Sequence, residues 1–198
     1  MSEAIRVQGL KKSYGTKEAL KGLELSVKSG TVFGLLGANG AGKSTAIECI
    51  LGTKQADGGT VSVLGMNPRK DRQTLFQRVG VQFQQCDYQP EIKVSELCEE
   101  TACLYADPAD ARQLCSQFGI GDKMSCSVKS LSGGERQRLF IVLALLPNPQ
   151  VVFLDELTTG LDAKARRSVW KILEDLKESG YEKFEDAYLA LSGEEVEN

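Results

Sequence analysis

The chain opens with short alternations of apolar and polar residues. Ile5-Arg6-Val7 begins one, and Leu23-Glu24-Leu25-Ser26-Val27 alternates with a period of two. Such spacing predicts half-buried strands. Residues 31–36 form an almost continuous apolar run, as expected of a strand buried on both faces. A glycine-rich turn follows at once, and residues 44–51 predict a helix. Residues 60–64 and 79–83 predict two more strands. Residues 94–118 predict helix with a break at Asp107-Pro108. A further helix starts at Leu131-Ser132-Gly133-Gly134, is apolar on most faces from Leu139 onward, and ends at Pro147-Asn148-Pro149. Residues 151–154 predict a second fully buried strand. Val169, Ile172, Leu173 and Leu176 mark one helix face, closed by Gly180. Strands alternating with helices place the chain in the α/β class.

The turn after the 31–36 strand carries chemistry. Gly37-Ala38-Asn39-Gly40-Ala41-Gly42-Lys43-Ser44 fits G-x-x-x-x-G-K-[ST] between a predicted strand and a predicted helix. Its glycines let backbone N–H groups curl around phosphate oxygens, and the helix N-terminus adds partial positive charge. Lys43 is then the group that reaches the β- and γ-phosphates, and the Ser44 hydroxyl is a ligand for Mg²⁺. Val151-Val152-Phe153-Leu154-Asp155-Glu156 is an apolar strand that ends in two acids. Asp155 is expected to help hold Mg²⁺, and Glu156 to polarise an attacking water.

Leu131-Ser132-Gly133-Gly134-Glu135-Arg136-Gln137-Arg138 resembles the LSGGQ-type signature of the ATP-binding subunits of ABC transporters, with Glu135 where glutamine often stands. Ser132 caps a helix whose first N–H groups open past two residues without side chains. The resemblance implies a P-loop core with a mainly parallel sheet, an N-terminal antiparallel β part and an inserted α-helical subdomain. The whole of 1–198 is then one domain, with its core near 1–84 and 148–198 and the helical part near 85–147. Nucleotide contacts are implied for Gly37, Asn39, Gly40, Ala41, Gly42, Lys43, Ser44 and Thr45. Tyr14, in Lys12-Ser13-Tyr14-Gly15, resembles the aromatic that stacks on adenine. Gln84 resembles the glutamine that contacts Mg²⁺ or water, with Gln82 and Gln85 close enough to compete for the role. Asp162, in Gly160-Leu161-Asp162, resembles the loop that crosses to a partner subunit. Ser132, Gly133 and Gly134 would meet the γ-phosphate on that partner. ATP and Mg²⁺ are the implied cofactors. The implied partners are a second ATPase subunit, identical or paired, and a separate transmembrane permease. The implied place is cytoplasmic, on the inner face of the membrane. The wording of 34–42 and 185–193 is most similar to bacterial multidrug or antibiotic export subunits.

Two positions depart from that pattern. Leu157 stands where the family usually has proline. More consequentially, the family places a switch histidine on a strand after the helix that follows Asp162, and this chain has no histidine. Ser179-Gly180 runs directly into Tyr181-Glu182-Lys183-Phe184, which resembles the family's C-terminal helix. A strand–crossover unit of at least ~30 residues is therefore expected to be absent between 180 and 181. Either residues of the natural chain are missing from this sequence, the favoured reading, or the deletion is genuine and catalysis is impaired. The lost strand belongs between the 31–36 and 151–154 strands. If residues are missing, those two should lie two ~4.8 Å spacings apart with the strand between them unaccounted for, and if the deletion is genuine they should pair directly or the sheet should be disrupted. A catalytically impaired regulatory nucleotide-binding protein is the alternative to a transport ATPase. A soluble relative acting on ribosomes or DNA is the other rival.

Composition narrows the field. The 198 residues are 41% hydrophobic and 26% charged, which suits one globular domain. The net charge of -3 gives no broad grip on nucleic acid. Six cysteines, at 49, 86, 98, 103, 115 and 126, form no C-x-x-C pair, so neither a zinc site nor a disulfide framework is expected. No signal-peptide pattern opens the chain. The longest apolar run, 139–146, is far short of the ~20 residues of a membrane span. If the protein serves a membrane process, another chain is expected to supply the membrane part.

Overall fold

The first two strands run much longer than the alternation predicts. In the computed structural model, β1 (Glu3–Tyr14) and β2 (Lys17–Lys28) are twelve residues each and form one antiparallel hairpin. The regular pattern is lost at Gly9, which sits at φ 59°, where the register between the strands shifts. Glycine takes that left-handed angle without strain, so the ladder bends and continues past the point where alternation fails. The structure describes residues 2–35, 37–38, 40–82, 88–89, 91–154 and 188–190. The predicted 169–176 helix lies outside them.

Two sheets share the core. The first has the order β2-β1-β4, with β4 (Gly58–Val63) antiparallel to β1. Its inner face, with Ile5, Val7, Leu10, Val27 and Val63 all buried, packs with Ala46, Ile47 and Ile50 of α1 (Lys43–Ile50). The second sheet is parallel and includes β3 (Val32–Gly34), β5 (Val79–Gln82) and β6 (Val151–Leu154). All four residues of β6 are buried, as its apolar run predicts. β3 departs from its expectation: Gly34 is exposed, and Phe33 and Leu35 are only half-buried. Their packing is on the α1 cluster, so continuous apolarity here does not mean cover on both faces.

The centre of the parallel sheet is not vacant. β7 (Tyr188–Ala190) lies between β3 and β6 and is parallel to both, in the order β3-β7-β6-β5. This corrects both expectations drawn from the missing histidine strand, the open slot and the direct pairing of β3 with β6. The physical reason is that an unfilled slot leaves two rows of backbone N–H and C=O groups unpaired. A short apolar run such as Tyr-Leu-Ala can satisfy them as well as it can extend a helix. The junction of 180 and 181 itself lies outside the described residues.

A separate helical cluster covers the far side. α3 (Val94–Ala102), α4 (Ala111–Gln117) and α5 (Gly133–Leu145) bury Cys98, Leu114, Phe118, Leu139 and Val142 together with Val152 and Leu154 of β6. The chain breaks between α3 and α4 because Pro108 cannot donate to a helix and restricts Asp107 before it. Asp110 then starts α4, accepting from the N–H groups of Arg112 at 2.8 Å and Gln113 at 3.1 Å. α2 (Arg72–Phe76) was not predicted, since five residues are too few to display a helical period.

Candidate functional site

The site begins where β3 delivers the chain to α1. Ala41 N–H bonds the Ala38 carbonyl at 3.0 Å, and Ala46 N–H bonds that of Gly42 at 2.8 Å, so the loop closes directly into the helix. Gly42 caps α1 at φ 93° and ψ 10°. A Cβ there would lie 2.6 Å from the Ala19 carbonyl oxygen of β2, so only glycine lets the loop seat against that strand. By contrast, a Cβ on Gly40 would meet nothing within 4 Å, because its side of the loop faces open space. The leading N–H groups of α1, from Lys43, Ser44 and Thr45, lie in the first turn, which intrahelical bonds leave open, and no side chain caps it, so this end suits an anion. Gly37 and Ser44 are exposed and Thr45 half-buried. Lys43 Nζ donates to the carbonyls of Gly37 and, at 3.1 Å, Ala38, so the ammonium already arches over the loop. Glycine backbone that a side chain would obstruct, first-turn N–H groups, an ammonium and an exposed hydroxyl are a donor set suited to a polyphosphate with Mg²⁺. Asn39 lies outside the described residues.

Tyr14 ends β1 opposite Lys17, five positions before the Ala19 carbonyl that seats Gly42. The hairpin tip is thereby fixed beside the phosphate loop. Tyr14 is 45% exposed, which leaves ring surface free for stacking. Lys12 Nζ stands 5.7 Å and Lys54 Nζ 5.3 Å from its ring centre. Both cations are themselves anchored, Lys12 to Asp57 at 2.8 Å and Lys54 to Glu48 at 2.6 Å. Sequence reasoning did not find Lys54, because it comes from forty positions away in the chain.

The parallel sheet brings the ends of the strands that precede the other predicted residues to one edge. Gly34, Ala190, Leu154 and Gln82 form one row across β3, β7, β6 and β5. Three positions beyond Gly34 the phosphate loop begins, one beyond Leu154 is Asp155, and two beyond Gln82 is Gln84. Ligands of open α/β sheets bind at this carboxyl edge. Asp155, Glu156, Gln84 and Asp162 lie outside the described residues. Gln82, a rival for the role given to Gln84, is buried in the last position of β5.

Ser132, Gly133 and Gly134 are not beside the phosphate loop of their own chain. They start α5, which packs on β5, at the opposite edge of the sheet from β3. Three strand spacings, roughly 14 Å, separate those edges. The Ser132 hydroxyl accepts from Glu135 N–H at 3.3 Å and donates to the Glu135 carboxylate at 2.7 Å, while Ser132 N–H donates to that carboxylate at 2.8 Å. This reciprocal cap is an S-x-x-E spacing readable in the sequence, and it explains glutamate at this position. The Ser132 hydroxyl first, then its N–H, and finally Lys123 hold the Glu135 carboxyl below its ordinary value. A lowered folded-state pKa stabilises above the ordinary value and is lost as pH falls through the folded one. Acidification below the ordinary 4.5 should therefore loosen the start of α5. Ser132→Ala should cost about 1 kcal/mol of stability at neutral pH, and Glu135→Gln should flatten the acid limb. Thermal unfolding followed from pH 7 to 3 measures both, and an unchanged acid limb in Glu135→Gln would count against the assignment.

The family profile described as "ABC transporter" matches residues 20–159. The chain is 36% identical over 184 residues to a daunorubicin/doxorubicin resistance ATP-binding protein of Streptomyces peucetius, covering 90% of this chain and 56% of that protein. It is 35% identical over 182 residues to a fluoroquinolones export ATP-binding protein of Mycobacterium tuberculosis, covering 90% and 60%. A methionine import ATP-binding protein of Rhizobium johnstonii is 34% identical over 183 residues, covering 88% and 51%. The chain thus spans between half and two thirds of the length of these curated relatives. Among solved structures, an ATP-binding subunit of an ABC transporter superposes with a TM-score of 0.80 at 25% identity, covering 96% of this chain and 79% of that one.

Proposed function

The chain belongs to the ABC transporter ATP-binding family, and on that footing we propose that it binds Mg-ATP, hydrolyses it to ADP and phosphate, and drives transport by a separate membrane permease. The observation that carries this reading is the edge of the parallel sheet. There the loop of Gly37, Gly40, Ala41, Gly42, Lys43, Ser44 and Thr45 leaves β3 level with the end of β6, whose next residues are Asp155 and Glu156. The loop N–H groups and Lys43 hold the phosphates and offset the charge that builds on the transferred group. Ser44 and Asp155, with Gln84, would hold Mg²⁺, which supplies further charge neutralisation when bound. Glu156 orients the attacking water, and Tyr14 stacks on the base. Asn39 belongs with the loop.

The position of Ser132, Gly133 and Gly134 at the far edge from β3 supports a second subunit. Their N–H groups serve a phosphate held by the other copy's loop, with Asp162 crossing between the two. Two copies related head to tail complete two sites at once. The relatives named for drug resistance or export support export as the direction, and the place of action would be the inner membrane face. No described helix is long and apolar enough to cross a membrane.

The test uses a Glu156→Gln variant. Mg-ATP should double its mass in light scattering, and Mg-ADP should not. A strictly monomeric protein that still binds ATP at high concentration would overturn the shared-site reading. The regulatory alternative rests on the lack of histidine. Turnover below detection with intact ATP binding in the unmutated protein would favour it.

A further inference from the structure

Two buried amide atoms have no hydrogen-bond partner among the described residues: Gln82 Oε1 and Gln137 Nε2. Gln82 is 4% exposed, the one buried polar residue in the described core. Buried polar atoms are nearly always paired, so each such orphan needs an explanation. These two are complementary, since one is an acceptor and the other a donor.

Strand and helix periodicity place both on the contact between β5 and α5. A Cβ on Gly80 would fall 1.8 Å from the Ala144 carbonyl oxygen, so β5 and α5 touch backbone to backbone at that point. Gln82 lies two positions further along the strand and on the same face. Gln137 lies seven positions before Ala144, two turns back on the same stripe of the helix. Helix and strand run in opposite directions, because the chain leaving α5 returns to the start of β5, where Gln150 N–H bonds the Arg78 carbonyl at 2.9 Å. Two strand steps cover about 7 Å and seven helical steps about 10 Å. The axial offset of about 3–4 Å between the two residues is within the reach of glutamine side chains.

We propose that Gln82 and Gln137 bond to each other when the start of α5 engages nucleotide, which makes Gln82 a positioning residue for hydrolysis. This rests on the reading that Ser132, Gly133 and Gly134 meet a phosphate held by a second copy. Gln137 is five positions beyond Ser132, so a phosphate drawing on that helix end moves Gln137 with it. Gln82 ends β5 beside Leu154 of β6. The bond therefore ties the helix to the row from which Gln84 and Asp155-Glu156 depart. Without the bond, α5 meets β5 here by close packing, and packing does not select one axial position as a directional bond does.

The test is a double-mutant cycle on ATP-driven dimerisation, with Gln82→Met and Gln137→Met placed in Glu156→Gln. Without nucleotide, each substitution removes an orphan, so unfolding temperature should hold or rise. With Mg-ATP, each should weaken dimerisation about tenfold, the order of one buried hydrogen bond. The double variant should be no weaker than either single one. Lower stability without nucleotide together with unchanged dimerisation would overturn the proposal. So would single effects that multiply in the double variant. If the Glu156→Gln parent itself fails to dimerise, the shared-site reading falls and the pair with it. If the parent dimerises and the single variants match it, only the pair falls. Should a methionine variant not fold, the Glu156→Gln parent carries the test. Its Gln137 side-chain NH₂ should exchange with solvent more slowly in Mg-ATP than in Mg-ADP, and equal rates would overturn the proposal.

Discussion

Replacing Lys43 with alanine should weaken Mg-ATP binding about a hundredfold, the order of a lost charge-assisted phosphate contact, and leave the fold standing. Lys43 sits at the first position of α1, half-buried, and among the described residues its ammonium bonds the carbonyls of Gly37 and Ala38 in its own loop. The seat of that loop is Gly42 against Ala19 and the burial of Ala46, Ile47 and Ile50, which the substitution leaves in place. ATP titration alongside thermal unfolding separates the two effects. A Lys43→Ala protein that binds ATP like the parent would sink the phosphate-loop assignment. One that unfolds would show that the lysine is structural.

Gly80→Ala should be the most damaging single methyl in the described core. The added Cβ would fall 1.8 Å from the Ala144 carbonyl oxygen and 3.3 Å from Pro149 Cγ. The first of these is backbone in the middle of a contact between helix and strand, so no side chain can swing aside. Relief requires α5 to lift from β5, which separates the helical cluster from the sheet. Overpacking of this kind costs 1–3 kcal/mol or more. At about 2–4 °C per kcal/mol for a domain of this size, a fall of roughly 10 °C in unfolding temperature is expected. Gly133→Ala is the control, because a Cβ there meets nothing within 4 Å. Its unfolding temperature should match the parent. If both variants unfold alike, the close approach of α5 to β5 is not what Gly80 serves.

The nucleotide site was legible in the sequence wherever its chemistry is local. The string from Gly37 to Ser44 announces a loop of N–H groups because glycines, lysine and hydroxyl must sit at fixed offsets on one turn. Ser132 announces a cap because its partner, Glu135, is three residues away. Val151-Val152-Phe153-Leu154 announces a buried strand because every residue is apolar and the run is short. Where a property depended on what arrives from elsewhere in the chain, the pattern misled or was silent. β3 has the same continuous apolarity as β6, yet only β6 is fully buried. Lys54 and Tyr14 approach because a hairpin and the end of α1 converge, which neither residue's neighbours reveal.

The sheet's centre shows the same division. The sequence by itself determined that one apolar run leads into a glycine-rich turn with lysine and serine and another into two acids, since hydrophobic runs and turn chemistry are properties of neighbouring residues. It also showed that the family's histidine is absent. Only the tertiary structure decided that Tyr188–Ala190 would lie between those strands, with Val32, Tyr188 and Val152 in one row. Strand pairing is settled by which backbone groups lack partners at the moment of packing, and that is a competition among distant segments. The buried Gln82 Oε1 and Gln137 Nε2 were invisible for the same reason: each belongs to an ordinary polar side chain until the fold places that atom where water cannot reach.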